Sequence, residues 1–94
     1  MDVTVWLAGA LRPHAGGRTR VPVQVSPGTT VGGVLDRLFA DAPSLARRVR
    51  DERGTLRRHV NVFVGTTNIR DAAGLDTPVG DGIEISVLPA TSGG

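Results

Sequence analysis

The chain of 94 residues ends in two glycines, Gly93 and Gly94, which put an α-carboxylate on a segment without side chains. Because glycine has no Cβ, such an end can pass through a narrow channel and approach an active site closely. A carboxylate becomes a good electrophile only after it has acquired a good leaving group. The end is therefore predicted to be the reactive group, delivered into another protein. A frayed terminus is the alternative for a Gly-Gly end taken alone.

The last six residues, 89–94, show no apolar periodicity and are predicted to form a flexible tail. Fully extended, they would reach roughly 20 Å beyond the last predicted strand. The domain is therefore expected to span residues 1–88. Within the tail, Thr91, Ser92 and Gly93 are expected to present Gly94 to a partner, and the diglycine end is either native or produced by cleavage of a longer chain.

The composition excludes several kinds of chemistry. The chain contains no cysteine, so it has no disulfide, thiolate metal site or cysteine nucleophile, and all eleven of its basic residues are arginine. A formal net charge of +2 and three aromatic residues, without a basic stripe, argue against nucleic-acid binding. No apolar run is long enough to span a membrane, and no basic segment precedes an apolar one at the start. A cytoplasmic protein without a membrane partner is expected.

The elements that must position the tail follow from hydrophobic patterning. Four stretches alternate apolar and polar residues and are predicted strands: 3–8, 21–25, 59–64 and 83–88. Their inward-facing residues include Val3, Val5, Leu7, Val60, Val62, Val64, Ile83, Ile85 and Val87. Pro22 places the second strand at a sheet edge, because proline has no amide to donate. A short further strand is expected to begin at Ile69.

One main helix is predicted between the second and third strands. Thr30 is expected to cap it, and its apolar stripe is formed by Val31, Val34, Leu35, Leu38 and Phe39. Pro43 ends it, and Ser44 is expected to cap a shorter helical turn that docks through Leu45 and Val49. Three arginines are expected to point outward from this turn: Arg47, Arg48 and Arg50.

These elements predict a two-layer α+β domain in which the main helix crosses one face of a mixed, four- to five-stranded sheet. The first and last strands and the N-terminal hairpin all have to cover the same helix. The compact solution places the first and last strands side by side at the sheet centre. This arrangement is a β-grasp, or ubiquitin-like, fold.

The opposite face of the sheet offers a candidate partner-binding surface. Trp6, Phe63 and Leu88 lie on the side of their strands that faces away from the core. Contiguous apolar surface around an aromatic residue often marks a partner site. Isolated surface residues are the alternative. His14 and His59 have no second ligand or nucleophile nearby, so neither a catalytic residue nor a metal site is predicted.

The arginines between Arg47 and Arg58 are interrupted by Asp51 and Glu52 and are expected to form a solvated face. Recognition of an acidic partner or of a phosphate is the alternative. The pair Gly32 and Gly33 at the helix start is interpreted as close packing on the sheet, because no Lys-Ser/Thr pair follows to complete a phosphate loop.

Three stretches of the chain carry a resemblance to a known family: residues 11–17 (LRPHAGG), 58–62 (RHVNV) and 88–94 (LPATSGG). Together with the β-grasp order and the Gly-Gly end, they resemble the ubiquitin-like sulfur carriers of the MoaD and ThiS families, and within them the CysO type. The resemblance covers essentially the whole chain.

This resemblance implies a specific chemistry at Gly94. In the family, an E1-like enzyme uses ATP to adenylate the terminal carboxylate, and a sulfur donor displaces AMP to leave a thiocarboxylate. The carrier itself is not an enzyme and binds no cofactor. A CysO-like route implies a sulfur-accepting, PLP-dependent synthase and a JAMM-type metalloprotease, while molybdopterin, thiamin and sulfur-containing natural products are other destinations.

Two further functions stay open at this stage. In the first, the chain is a protein modifier whose Gly94 becomes linked to lysines of target proteins. In the second, it is a non-covalent β-grasp interaction domain with an inert tail.

Overall fold

The computed structural model describes residues 1–89 and contains a five-stranded sheet. The strands are β1 (Asp2–Leu7), β2 (Arg20–Gln24), β3 (Val60–Val64), β4 (Thr67–Asn68) and β5 (Glu84–Pro89). Their order across the sheet is β2-β1-β5-β3-β4, and β1 runs parallel to β5 while the other neighbours are antiparallel. This is the predicted α+β, β-grasp arrangement, with the last strand at the centre, the first beside it, and Pro22 on an edge strand.

The two α-helices are α1 (Val31–Ala40) and α2 (Pro43–Val49). The hydroxyl of Thr30 accepts a hydrogen bond from the Gly33 amide at 3.2 Å, which confirms the predicted cap of α1. Leu45 and Val49 of α2 are fully buried, as predicted. Neither of these helices, nor any other in residues 1–89, is long and apolar enough to cross a membrane.

The core lies between the sheet and the helices and follows the two periodicities read from the sequence. Strands bury every second residue, and α1 buries its predicted stripe, with Phe39 half-buried at one end. The largest fully buried side chains are Leu7, Leu35, Leu45, Ile69, Ile85, Val3, Val5, Val31, Val34, Val49, Val60 and Val62. Two residues expected to face inward, Val64 and Ile83, are only half-buried, since they pack at the margin of this core.

Two local predictions were wrong, one because the helix already begins at Pro43 and one because a side-chain hydrogen bond caps a turn. Ser44 does not cap α2: Ala42 occupies the cap position, Pro43 begins the helix, and the Ser44 hydroxyl is hydrogen-bonded to Nδ1 of His14 at 2.7 Å. Ile69 does not begin a strand. The Asn68 side chain accepts the Arg70 amide at 3.0 Å and caps a 3-10 turn, so the short strand β4 ends at Asn68.

The first loop contains regular structure that the sequence pattern did not predict. Residues Gly9–Ala15 form a 3-10 helix, and its Leu11 and Ala15 are buried. The helix ends at Gly16, whose φ of 69° lies in the left-handed region that glycine adopts easily. This segment packs on α2 through the contact between His14 and Ser44.

Arg50, expected to point outward, instead folds back onto α1. Its side chain is only 15% exposed; it donates to the Gly32 carbonyl at 3.0 Å and forms an ion pair with Asp36. Its guanidinium carbon lies 5.5 Å from the centre of the Phe39 ring. The end of α2 is therefore tied to three successive turns of α1 by one side chain.

Candidate functional site

The exposed face of the sheet brings the predicted surface residues together in one row. Trp6 of β1 pairs in register with Ser86 of β5, and Ser86 pairs with Phe63 of β3. Register partners point to the same side of a sheet, so both aromatic rings lie on the face away from the helices. Neighbouring strands lie about 4.8 Å apart, so the backbones of the two aromatic residues lie about 9.6 Å apart across the sheet. Only Ser86 lies between them in this row.

Leu88 completes this set. It lies two residues beyond Ser86 on β5, and therefore on the same face, in register with Asn61 of β3. Trp6, Phe63 and Leu88 are each half-buried. We call these three residues the sheet-face patch. The structure places them as predicted, on the three central strands, and their role in partner binding stays a prediction.

An arginine that the sequence interpretation passed over shapes the patch. The Arg12 guanidinium carbon lies 5.6 Å from the centre of the Trp6 ring, and its Nε donates to the Leu7 carbonyl at 2.9 Å. The 3-10 helix Gly9–Ala15 holds Arg12 there. Leu11 and Ala15, two apolar residues four apart, were the signal that this loop is ordered. A cation over an indole face is stabilising and gives one margin of the patch a positive charge.

A second charged contact crosses the same face. Arg20 of β2 and Glu84 of β5 form an ion pair at 3.3 Å, spanning β1 between them. Both side chains are well exposed, at 61% and 44%, so the pair contributes little to stability. It marks a polar margin beside the apolar patch, as is usual at the rim of a protein interface.

The tail starts from the middle of the sheet. Pro89, the last described residue, pairs with Val60 of β3 at the end of the central strand. On the other side, the Ala8 amide donates to the Val87 carbonyl at 3.0 Å. The tail residues Thr91, Ser92, Gly93 and Gly94 lie outside the described residues. The reactive role of Gly94 therefore stays a prediction. The tail follows Pro89, next to Leu88, and the end of β5 is hydrogen-bonded on both sides, to β3 and to Ala8.

Comparison with known proteins decides the family. The sequence model that describes the ThiS family matches residues 5–94, a stretch that includes both terminal glycines. The chain belongs to the ThiS family. Members of this kind are small protein carriers and not catalysts, and the resemblance to ThiS, MoaD and CysO drawn from the sequence is confirmed.

Similarity to individual ThiS-family relatives extends over full lengths. The chain is 38% identical to the sulfur carrier protein CysO of Mycobacterium tuberculosis over 96 residues, with 100% of each covered. It matches the crystal structure of the Amycolatopsis orientalis BexX/CysO complex with a TM-score of 0.85 and 34% identity, over 98% of this chain and 99% of that one. SAMP1 of Haloferax volcanii matches with a TM-score of 0.85 and 33% identity, over 100% of both chains.

Proposed function

We propose that this chain is a sulfur carrier whose C-terminal Gly94 becomes a thiocarboxylate. The observation that carries the proposal is the full-length similarity to CysO, named as a sulfur carrier protein, within a family match that reaches residue 94. The diglycine end supports it chemically, because neither terminal residue has a Cβ to hinder attack at the carbonyl.

The activation proceeds in two balanced steps on a partner enzyme. First, a Gly94 carboxylate oxygen attacks the α-phosphorus of ATP, pyrophosphate leaves, and an acyl adenylate forms. Second, a sulfide-level donor attacks the Gly94 carbonyl carbon and AMP leaves with the former carboxylate oxygen. The chain contributes the carboxylate and its presentation, while an E1-like partner supplies the ATP site and the donor. No lysine or cysteine of this chain competes, since it has neither.

The fold supports a role for this chain in presenting the tail to a partner that carries out the reaction. Residues 90–94 can span at most about 17 Å, so a partner's active site has to lie within that distance of Pro89. The sheet-face patch begins at Leu88, next to that point. We therefore assign the patch to docking of the E1-like enzyme and of the sulfur-accepting protein, with the tail entering the active site of each in turn.

The acceptor is a biosynthetic enzyme of sulfur metabolism. In a CysO-like route it is a PLP-dependent synthase whose aminoacrylate takes the sulfur, after which an S-to-N acyl shift leaves an amide. A JAMM-type metalloprotease then hydrolyses the amide and releases the carrier. Cofactor synthesis and sulfur-containing natural products use the same thiocarboxylate with other acceptors.

Intact-mass spectrometry tests the proposal. The purified chain is incubated with ATP, a sulfide donor and the E1-like enzyme encoded in the same genome. The expected product is heavier by the difference between one sulfur and one oxygen atom. A chain lacking Gly93 and Gly94 should gain nothing, and Gly94→Ala, which keeps the carboxylate but adds a Cβ, should react more slowly. An unchanged mass with every E1-like enzyme of that genome would refute the proposal.

A protein-modifier function is the second candidate. It is favoured by the full-length structural similarity to SAMP1 and by the sequence similarity of this chain to a protein of Haloferax volcanii named small archaeal modifier protein 1. In that case an N-terminally tagged chain should form conjugates in cells that depend on Gly94 and contain an isopeptide to a lysine of the target. A non-covalent interaction domain would instead keep its function after deletion of Gly93 and Gly94. The carrier proposal expects loss of function on deletion and no accumulated conjugates.

A further inference from the structure

A groove of about 500 Å³ opens between α2 and the segment that leads into β3. We call it the basic groove, and it is lined by Ser44, Arg47, Arg48, Arg57 and His59. Four of these five residues carry a guanidinium or an imidazole group. The sequence pattern favoured a solvated face here over recognition of an acidic partner or a phosphate, since Asp51 and Glu52 separate the arginines along the chain.

Hydrogen bonds to backbone carbonyls, most of them from arginine side chains, hold the two walls of the groove together. Arg57 donates from Nε to the Arg47 carbonyl at 2.8 Å and from its amide to the Val49 carbonyl at 2.9 Å. Arg70 reaches from outside the groove and donates to the carbonyls of Arg57 and Val60, at 2.9 and 2.6 Å. The segment carrying Arg57 is therefore fixed against α2, and the groove is a built feature of the fold.

No carboxylate of the described chain lines the groove or forms an ion pair with a residue that does. The two ion pairs in residues 1–89 are Arg20 with Glu84 and Arg50 with Asp36, and neither involves a lining residue. Asp51 and Glu52 border the adjacent depression on the other side of Arg47 and Arg57. There, Asp51 accepts the amides of Arg53 and Thr55. Three arginines on one concave surface produce a positive potential that attracts an anionic group from outside.

The groove also lies next to the root of the tail. His59 immediately precedes Val60, and Val60 is the register partner of Pro89. A protein that takes the tail into its active site must therefore cover this side of the molecule. Guanidinium groups match carboxylates in geometry as well as charge, because they present several donors in a planar fork.

We propose that the basic groove docks an acidic, Asp/Glu-rich segment of the protein that receives the tail. This rests on the proposed function only in naming that protein; binding of an acidic peptide is independent of it. An acidic protein segment fits better than nucleic acid, because no Phe, Tyr or Trp side chain lines the groove to stack successive bases. The groove thus complements the apolar sheet-face patch with a charged contact that sets orientation.

The test uses the full chain and a fluorescein-labelled oligoglutamate peptide, with binding followed by fluorescence anisotropy at low ionic strength. Saturable binding is expected, and Arg47→Glu with Arg48→Glu should raise the Kd about tenfold, since two exposed charge contacts are replaced by repulsion. The pair Arg37→Glu with Arg53→Glu is the matched control. It changes the net charge equally, outside the groove, and should leave the Kd nearly unchanged.

The milder pair Arg47→Gln with Arg48→Gln should raise the Kd for the peptide about threefold. Circular dichroism checks that each variant folds. If the charge reversal disturbs folding, the glutamine pair is used to test the proposal. Absence of saturable binding, or equal losses in groove and control pairs, would overturn the proposal. So would tighter binding of pyrophosphate or single-stranded RNA at equal ionic strength. Deleting Gly93 and Gly94 should not change the peptide affinity, because all lining residues of the groove lie within residues 44–59.

A second experiment tests whether the groove contacts the activating enzyme. In the thiocarboxylation assay the groove pair should raise the KM for the carrier and leave kcat nearly unchanged, and the effect should shrink at high salt. A normal KM would show that the groove does not meet the activating enzyme. A failure of thiocarboxylation in every variant, with peptide binding intact, would refute the proposed function and leave groove binding of acidic peptides standing.

Discussion

Replacement of Arg50 by alanine should destabilise the domain although the residue lies at a helix end. The side chain donates to the Gly32 carbonyl at 3.0 Å, stacks 5.5 Å from the Phe39 ring centre and pairs with Asp36. At 15% exposure it is shielded from water, whereas Asp36 is 69% exposed. The three contacts should therefore contribute different amounts to the free energy of unfolding, and the ion pair with Asp36 should contribute least.

The size of the effect follows from these contacts. A hydrogen bond from a charged donor contributes about 1.5–3 kcal/mol. Stacking on a half-buried ring adds about 0.5–1 kcal/mol, and an ion pair with an exposed carboxylate adds less than about 1 kcal/mol. Ordering the arginine costs about 1.5–2 kcal/mol. Its buried Nε, which has no partner among the described residues, is a further cost that alanine removes. The net loss should be about 1 kcal/mol, or about 4–8 °C in Tm for a domain of this size.

Urea and thermal unfolding, followed both by circular dichroism and by the fluorescence of the single tryptophan, measure this loss. Coincident transitions would show that the two-state treatment holds. Asp36→Ala and the exposed control Arg37→Ala should each change the free energy of unfolding by less than about 0.5 kcal/mol. A loss below about 0.5 kcal/mol for Arg50→Ala would refute the reasoning, as would an equal loss for Asp36→Ala.

Two other predictions concern the hairpin turn and the sheet face. Gly65 has a φ of 59° in the two-residue turn between β3 and β4, so Gly65→Ala should cost about 1–2 kcal/mol in a urea titration. Gly9→Ala, at ordinary φ with open space around it, should cost almost nothing. Trp6→Ala should weaken binding of the E1-like enzyme at least about tenfold by calorimetry. Pro22→Ala, on the same face at the sheet edge, should not; equal losses would remove the patch as the docking surface.

The parts of the fold that could be predicted are those set by periodicity and by single residues with strong preferences. Alternating valines and isoleucines gave the four long strands within about one residue at each end, and Thr30 and Pro43 gave the limits of α1. The helix stripe and the strand faces together required the central pairing of β1 with β5. These signals are local in the sequence, and no tertiary contact overrides them.

The Ile69 error arose from a local cap by Asn68, whereas other errors arose where a side chain contacts a partner distant in the sequence. Arg50 looked like its exposed neighbours because the sequence does not show that Gly32 and Phe39 lie within its reach. Ser44 looked like a helix cap, but the helix begins at Pro43, and the Ser44 hydroxyl is hydrogen-bonded to His14, 30 residues away. The basic groove was missed for the same reason. Its arginines are separated by acidic residues along the chain, and only the return of the segment through Arg57 brings them together.

The position of β5 has a consequence for when the carrier becomes available. Its strand is the last part of the sheet to leave the ribosome, yet it forms the central contacts with β1 and β3. A nascent chain that stops short of it has β1 and β3 without their shared neighbour, so the sheet cannot close during synthesis. A partner that docks on the assembled sheet, as proposed for the activating enzyme, therefore requires β5 to be in place between β1 and β3.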